Sequence, residues 1–289
     1  MARIAFAATS LWVLASRDFA GVSGLPAEFW RGVPVSTRWR FLDFWGHPYL
    51  ERALEWSAAA ALVCVIIGVL PRFPCFLAGI QLYHLAPLES LIWTNSPYGR
   101  GLTTSVLALL TLSFSPCEDC WTWLTFTRRK EANSSGDYTW PVRLIQVFIV
   151  QIYFFSGYSK LFFAGWKWAS ASNLRNWFLY FNEADQSHVF HLLGTWFAAR
   201  PAICGVMGVA TLLLELGFVT VLFSRRARQL LVPLVAIFHL GILFSMNLVF
   251  LNVPQLLVFA DWGRLGTRSF PTAQSVEGYV ELTGPRYET

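Results

Sequence analysis

Three ionisable residues interrupt runs that are otherwise apolar: Lys160 in Gly157-Tyr-Ser-Lys160-Leu-Phe-Phe, Glu215 in Thr211-Leu-Leu-Leu-Glu215-Leu-Gly, and His239 in Ile237-Phe-His239-Leu-Gly. A charge at the centre of a bilayer costs roughly 2.5 to 3.5 kcal/mol on insertion scales, so each of these must face a protein interior and find a partner there. An amine, a carboxylate and an imidazole in dry surroundings are the groups of proton transfer: the amine abstracts, the others hold or relay. Tyr153 joins them through helical spacing. At about 100° per residue, Arg143, Gln146, Val150, Tyr153, Gly157 and Lys160 fall within roughly a 100° arc, a polar and small stripe on an aromatic helix. Lys160, Tyr153, Glu215 and His239 are therefore the candidate catalytic residues, and Arg143, Gln146, Gly157 and Trp166 the candidate ligand-binding ones. The bland readings stand beside these: a lysine snorkelling to the headgroups, and a polar clamp that only fixes helix packing.

Glu215 lies ten residues before Arg225, and His239 eleven after Arg228, so antiparallel neighbours joined at that basic turn bring the two to one depth. The spacing predicts a Glu215 to His239 hydrogen bond, direct or through one water. His84 and Glu89 add ionisable groups near the end of another apolar run. Cys117-Glu-Asp-Cys120 has CxxC spacing but no second pair and no histidines, and reads as incidental. No metal site is expected, and nucleotide-loop, HExxH and GxSxG patterns are absent.

The elements that must position these residues are membrane helices. Of 289 residues, 55% are hydrophobic, 17% aromatic and only 13% charged, which excludes an ordinary soluble domain. The net charge of +5 sits in short clusters between apolar runs, as positive-inside topology requires, and argues against a nucleic-acid partner. Five cysteines, Cys64, Cys75, Cys117, Cys120 and Cys204, are too scattered for a disulfide scaffold. The spans expected are Leu54 to Leu70, Cys75 to Trp93 after a tight Pro71-Arg72-Phe73-Pro74 hairpin, Leu102 to Phe114, Val142 to Ala164, Ala202 to Phe223 and Leu230 to Phe250, with a short piece at Val253 to Phe259. Ile4 to Ala15 reads as a first helix, with a signal peptide as the competing reading. The result is an all-α polytopic bundle of six to eight crossings, multi-pass in the cell membrane.

Arg128 to Lys130 and Arg225 to Arg228 are two crossings apart and both belong on the cytoplasmic side, with Arg72. That puts Gly165 to Arg200 outside, together with the stretch from Phe19 to Tyr49, whose Trp30, Trp39 and Trp45 suit an interfacial segment. The aromatic residues of the Gly165 to Arg200 loop, including Trp177, Phe178, Phe181, Phe190 and His191, recur at helical spacing, so an amphipathic lid is expected over the Lys160 end of its helix.

The segment Arg143-Leu-Ile-Gln146-Val-Phe-Ile-Val-Gln-Ile-Tyr153-Phe-Phe-Ser-Gly157-Tyr-Ser-Lys160-Leu, followed by Trp166, resembles the signature helix of the horizontally transferred transmembrane (HTTM) domain, the membrane part of vitamin K-dependent gamma-carboxylase. Arg3, Phe29-Trp30, Tyr98 to Trp121 with its Ser115-Pro-x-x-Asp119 ending, Glu215 in a Leu-Leu-acidic motif and Phe238-His239 also have counterparts, so the resemblance runs from about Arg3 to Arg264. It implies a domain over residues 1–265 and a polar tail over 266–289. In the carboxylase a lysine matching Lys160 deprotonates vitamin K hydroquinone, and oxygen converts the anion to a strongly basic alkoxide on the way to the epoxide. That base takes a gamma proton from glutamate, and carbon dioxide traps the carbanion. A reduced quinone is thus the cofactor the resemblance implies. Two departures stand out: about 25 residues follow Arg264, against the large extracytoplasmic domain that holds protein substrates, and Asn95 to Arg100 lacks the carboxylate that many stand-alone relatives carry. The expected activity is a quinol-dependent carboxylase or oxidoreductase on a small or lipidic substrate. A binder or transporter of a lipid-like or anionic ligand, and a scaffold, are the alternatives.

Overall fold

A computed structural model describes residues 2–26, 47–92, 101–117, 122, 136–184, 191–250 and 253–260. Among these residues every regular element is helical: α1 (Ala2–Ala15), α2 (Phe19–Ser23), α3 (Pro48–Ile67), α4 (Arg72–Ile92), α5 (Gly101–Ser113), α6 (Gly136–Ala164), α7 (Ala171–Ala184), α8 (His191–Ala198), α9 (Pro201–Gly217) and α10 (Arg225–Met246). Short 3-10 stretches continue α6 (Gly165–Ala169) and α9 (Phe218–Leu222), and another follows α10 (Val253–Phe259). Phe29, Trp30, Trp39, Trp45, Asn95 to Arg100, Cys120, Trp121, Arg128 to Lys130, Phe190 and the tail from residue 261 lie outside the described residues, as do the side chains of Glu89 and His191.

Local chemistry sets the helix ends. Pro48 and Pro201 open α3 and α9, where a missing N–H removes no helical bond. Ser224 caps α10 by accepting from the Ala227 N–H at 3.3 Å, and Asn247 closes it in the left-handed region at φ 53°. Gly68 ends α3 at φ 84°, and a Cβ there would stand 2.7 Å from the Thr122 backbone, so only glycine fits.

The main core gathers one apolar face each from α1, α3, α4, α5 and α6 with the end of α9, the adjoining 3-10 residues and α10. Phe6, Leu62, Leu82, Leu109, Ile145 and Phe218 are fully buried in it. α1 is part of this core, with Phe6, Ala7 and Val13 at zero exposure. A smaller cluster of Leu174, Phe178, Ala198, Cys204, Met246 and Leu248 binds α7 and α8 to the start of α9 and the end of α10. Between Gly165 and Arg200 the described residues are mostly helical, as the periodicity predicted, and Leu174, Phe178 and Ala198 are the ones that pack inward.

Among the described residues, three helices are long and apolar enough to cross a bilayer by length and composition: Thr139–Ala169 with 31 residues, and Pro201–Leu222 and Arg225–Met246 with 22 each. A third or less of their apolar windows is buried inside the protein, and Phe162, Val206, Leu213 and Ile237 point outward, which in water would be untenable and in lipid is required. α1 and α5 are apolar but have 14 and 13 residues, below the roughly 20 a full crossing needs. α3 reaches 20 residues but carries Glu51, Arg52 and Glu55. Among the described residues, length and composition thus support three of the six to eight crossings expected.

Candidate functional site

The stripe on α6 is where the polar residues converge, and each reaches a different neighbour. Gln146 Nε2 donates to the Val258 carbonyl at 3.0 Å, in the 3-10 stretch after α10. Tyr153 Oη lies 2.7 Å from His239 Nε2 of α10. Lys160 Nζ forms an ion pair with Glu215 Oε1 of α9. Seven residues separate one from the next, so the three contacts stand at successive heights on one side of the helix.

At the upper height Lys160 also donates to Ser156 Oγ at 3.2 Å, and Ser156 donates to Glu215 Oε1 at 3.3 Å. The ammonium lies 4.6 Å from the centre of the Trp168 ring, a cation–π contact. Lys160 retains 23% side-chain exposure and Glu215 8%, so the pair is drier on the carboxylate side. Gly157 makes the approach of α9 feasible: a Cβ there would meet Glu215 Cβ at 3.0 Å and Leu216 Cγ at 3.1 Å. Thr211, one turn from Glu215, donates to its own helix at the Met207 carbonyl and takes no part. Gly157→Ala is expected to push α9 away and cost about 1 to 3 kcal/mol. A melting midpoint unchanged from that of the parent protein would contradict this contact.

One level down, the Tyr153 ring packs on Phe218 at 4.6 Å between centroids, and the His239 ring packs on Phe250 at 4.6 Å and Phe238 at 5.4 Å. The imidazole therefore sits in an aromatic sleeve with one nitrogen bonded. Tyr153→Phe removes its partner and is expected to cost about 1 to 3 kcal/mol, because a buried ring nitrogen is left unsatisfied. Restoration of stability by a further His239→Phe change would identify that cause.

The direct Glu215 to His239 hydrogen bond expected from the sequence does not form. Glu215 is bonded to Lys160 and Ser156, and His239 to Tyr153. The equal offsets from the basic turn assume uniform α-helix, whereas Phe218–Leu222 is 3-10. Five residues of 3-10 geometry add about 2.5 Å of length and about 100° of rotation, enough to turn Glu215 away from α10 and toward α6.

The other expected positions separate. Arg143 is exposed and donates to Gln146 Oε1 at 3.3 Å, so both amide atoms of Gln146 are engaged within the protein. Gly157 faces α9. Trp166 is 69% exposed, and Trp168 takes the place beside the lysine because the 3-10 stretch, at three residues per turn, brings it round. Ser156 and Trp168 are the residues that sequence reasoning missed. Ser156 was legible as the i−4 neighbour of Lys160; Trp168 was not, since its placement depends on the switch to 3-10 geometry after Gly165 at φ 58°. Away from α6, Glu51 Oε2 and His84 Nε2 form a buried pair at 3.0 Å between α3 and α4.

Two atoms of the α6 site remain buried with no partner, Glu215 Oε2 and His239 Nδ1. A site with buried proton-transfer groups, an aromatic lining and free hydrogen-bonding capacity, held between apolar helices that expose their outer faces, defines an integral membrane protein with an intramembrane polar centre. The HTTM domain model matches residues 34–262, most of the chain, and the chain belongs to the HTTM domain family. No curated protein and no solved structure matches it.

Proposed function

We propose that this protein is a quinol-dependent enzyme of the gamma-carboxylase type, with Lys160 as the base that accepts a proton from a reduced quinone. The observation that carries this reading is the Lys160–Glu215 pair under Trp168, with a buried carboxylate oxygen left open beside it. Glu215 gives the lysine's own proton somewhere to go. Transfer from Nζ to the carboxylate leaves a neutral amine, and in a medium where separated charges are poorly solvated this neutral pair competes with the ion pair. Ser156 holds both partners while the proton moves, and the Trp168 ring lies against the ammonium.

The residues suit a hydroquinone by type. Glu215 Oε2 accepts a hydrogen bond and His239 Nδ1 accepts or donates according to its tautomer, while a hydroquinone presents hydroxyls of both capacities and a flat ring for aromatic neighbours. When bound, a reduced quinone supplies the electrons that reduce molecular oxygen, which is how the family chemistry generates a strong base. A small or lipidic acid is the substrate class proposed, and the cell membrane the location.

One observation favours a second reading. Each polar residue of α6 ties it to a different element, which is what a clamp that fixes helix register also does. Purified protein in nanodiscs, supplied with reduced vitamin K and oxygen, separates the two: lysine-dependent quinol oxidation supports the enzyme, and its absence from well-folded protein supports the clamp. The proposed side of action is outside, with α7 and α8 over the Lys160 end of α6. Cysteines introduced at Ser170 and Arg226 test it in intact cells. An impermeant thiol reagent is expected to label position 170 and spare 226; the reverse pattern inverts the topology and removes the outer-face site.

A further inference from the structure

The stretch that carries Trp168 is fixed from both sides. Ser170, extended at φ −65° and ψ 148°, caps α7: its Oγ accepts the Asn173 N–H at 3.3 Å, and its own N–H donates to the Lys167 carbonyl at 3.1 Å. The Asn173 side chain turns back from the third position of α7, and its Nδ2 donates to the Trp168 carbonyl at 2.7 Å. Ala169, the next residue, is buried against α9, where a Cβ on Gly208 would stand 2.6 Å from the Ala169 carbonyl oxygen. The backbone that bears the indole is thus set by α7 on one side and α9 on the other. A 3-10 stretch needs such support, because its hydrogen bonds are poorer than those of an α-helix.

We propose that Asn173 is a positioning residue for the Lys160 site: its amide holds the Trp168 carbonyl and so keeps the indole where the ammonium meets it. The role rests on the reading of Lys160 as the base. Lys160 lies four residues before the end of α6 at Ala164, and a lysine so placed has a second location open to it, with the stem along the helix and the ammonium out among the headgroups. Glu215, Ser156 and the Trp168 ring, 4.6 Å from Nζ, hold it inward instead. An indole face attracts an ammonium, and more strongly as water is removed. With the amine beside Glu215 the proton transfer described above stays available; with the amine drawn outward it is lost. Asn173 acts on the lysine through the backbone of the tryptophan, and its residue type is what the task requires. An aspartate would serve the start of α7 as well or better, but an ionised carboxylate has no hydrogen to give the Trp168 carbonyl.

The rate at which an acylating reagent modifies the Lys160 amine, read by mass spectrometry on full-length protein in nanodiscs with Lys130 as internal reference, tests this without requiring turnover. Asn173→Asp removes the donor, keeps the shape and puts a carboxylate in the first turn of α7, where it favours the helix. Its melting midpoint should match or exceed that of the parent, while Lys160 is acylated about two- to fivefold faster, the range that an exposed cation–π contact is worth. Trp168→Leu should give the same rise, the double variant no more than the larger single effect, and Trp168→Phe, which keeps an aromatic face, the parent rate. Parent reactivity in Asn173→Asp protein, or a double variant in which the two effects multiply, would overturn the proposal. The Asn173→Asp rate decides alone if Trp168→Leu fails to fold. The result is separable from that of the enzyme reading: an acylation response in protein that oxidises no quinol removes the base and keeps the linkage from Asn173 to Lys160, and quinol oxidation without the response does the opposite.

Discussion

Lys160→Ala is expected to reduce quinol-dependent turnover by at least the 10² to 10⁴ that a positioned acid or base contributes, and to leave Glu215 buried without its cation. The stability loss and the activity loss must be separated, and a double change does so. Lys160→Met with Glu215→Leu replaces the pair by apolar side chains of similar volume, a change that is often neutral or stabilising for buried ion pairs. Such a protein should fold and melt like the parent and yet show no turnover. Residual lysine-independent activity in this double variant would remove Lys160 from the mechanism while leaving the fold intact.

Glu215→Ala should have the largest effect on stability of any single change at the site. Truncating one partner of a buried ion pair typically costs about 3 to 5 kcal/mol, because the remaining charge is left uncompensated. Lys160 keeps 23% of its side-chain surface exposed, so some solvation persists and the lower end of that range applies. Glu215→Gln keeps an acceptor for Ser156 and Lys160 and should lie between alanine and the parent in thermal stability, yet lose turnover as fully as alanine because an amide does not take the lysine proton. Equal melting midpoints for Gln and Ala would show that the charge, and not the hydrogen-bonding shape, carries the structural role.

Much of this centre was legible from residue type and spacing. The period of the α6 stripe alone set Gln146, Tyr153 and Lys160 on one face, and the cost of burying Glu215 and His239 required partners for them. What spacing did not give was the pairing. Spacing paired Glu215 with His239, whereas the structure pairs it with Lys160 and has a local change of helix type at Phe218–Leu222 that no periodicity records. The same cause hid Trp168: counted as α-helix it points elsewhere, counted as 3-10 it returns to Lys160. Helix existence was likewise plain for α6, α9 and α10, where long apolar runs leave little choice. The number of crossings was not, because α1 and α5 are apolar enough for lipid but too short to be assigned by length.

The seven-residue interval between Gln146, Tyr153 and Lys160 has a mechanical consequence. Seven steps of 100° fall 20° short of two full turns, so the three side chains drift by only about 40° over some 21 Å of α6. That small drift sweeps them past three different elements in turn, like pins on a cylinder lock that align at one angular setting. Inserting or deleting one residue between Gln146 and Tyr153 would turn the upper part by about 100° and carry Tyr153 and Lys160 away from their seats at once. The helix is therefore tolerant of many substitutions on its outer face and intolerant of any change in length.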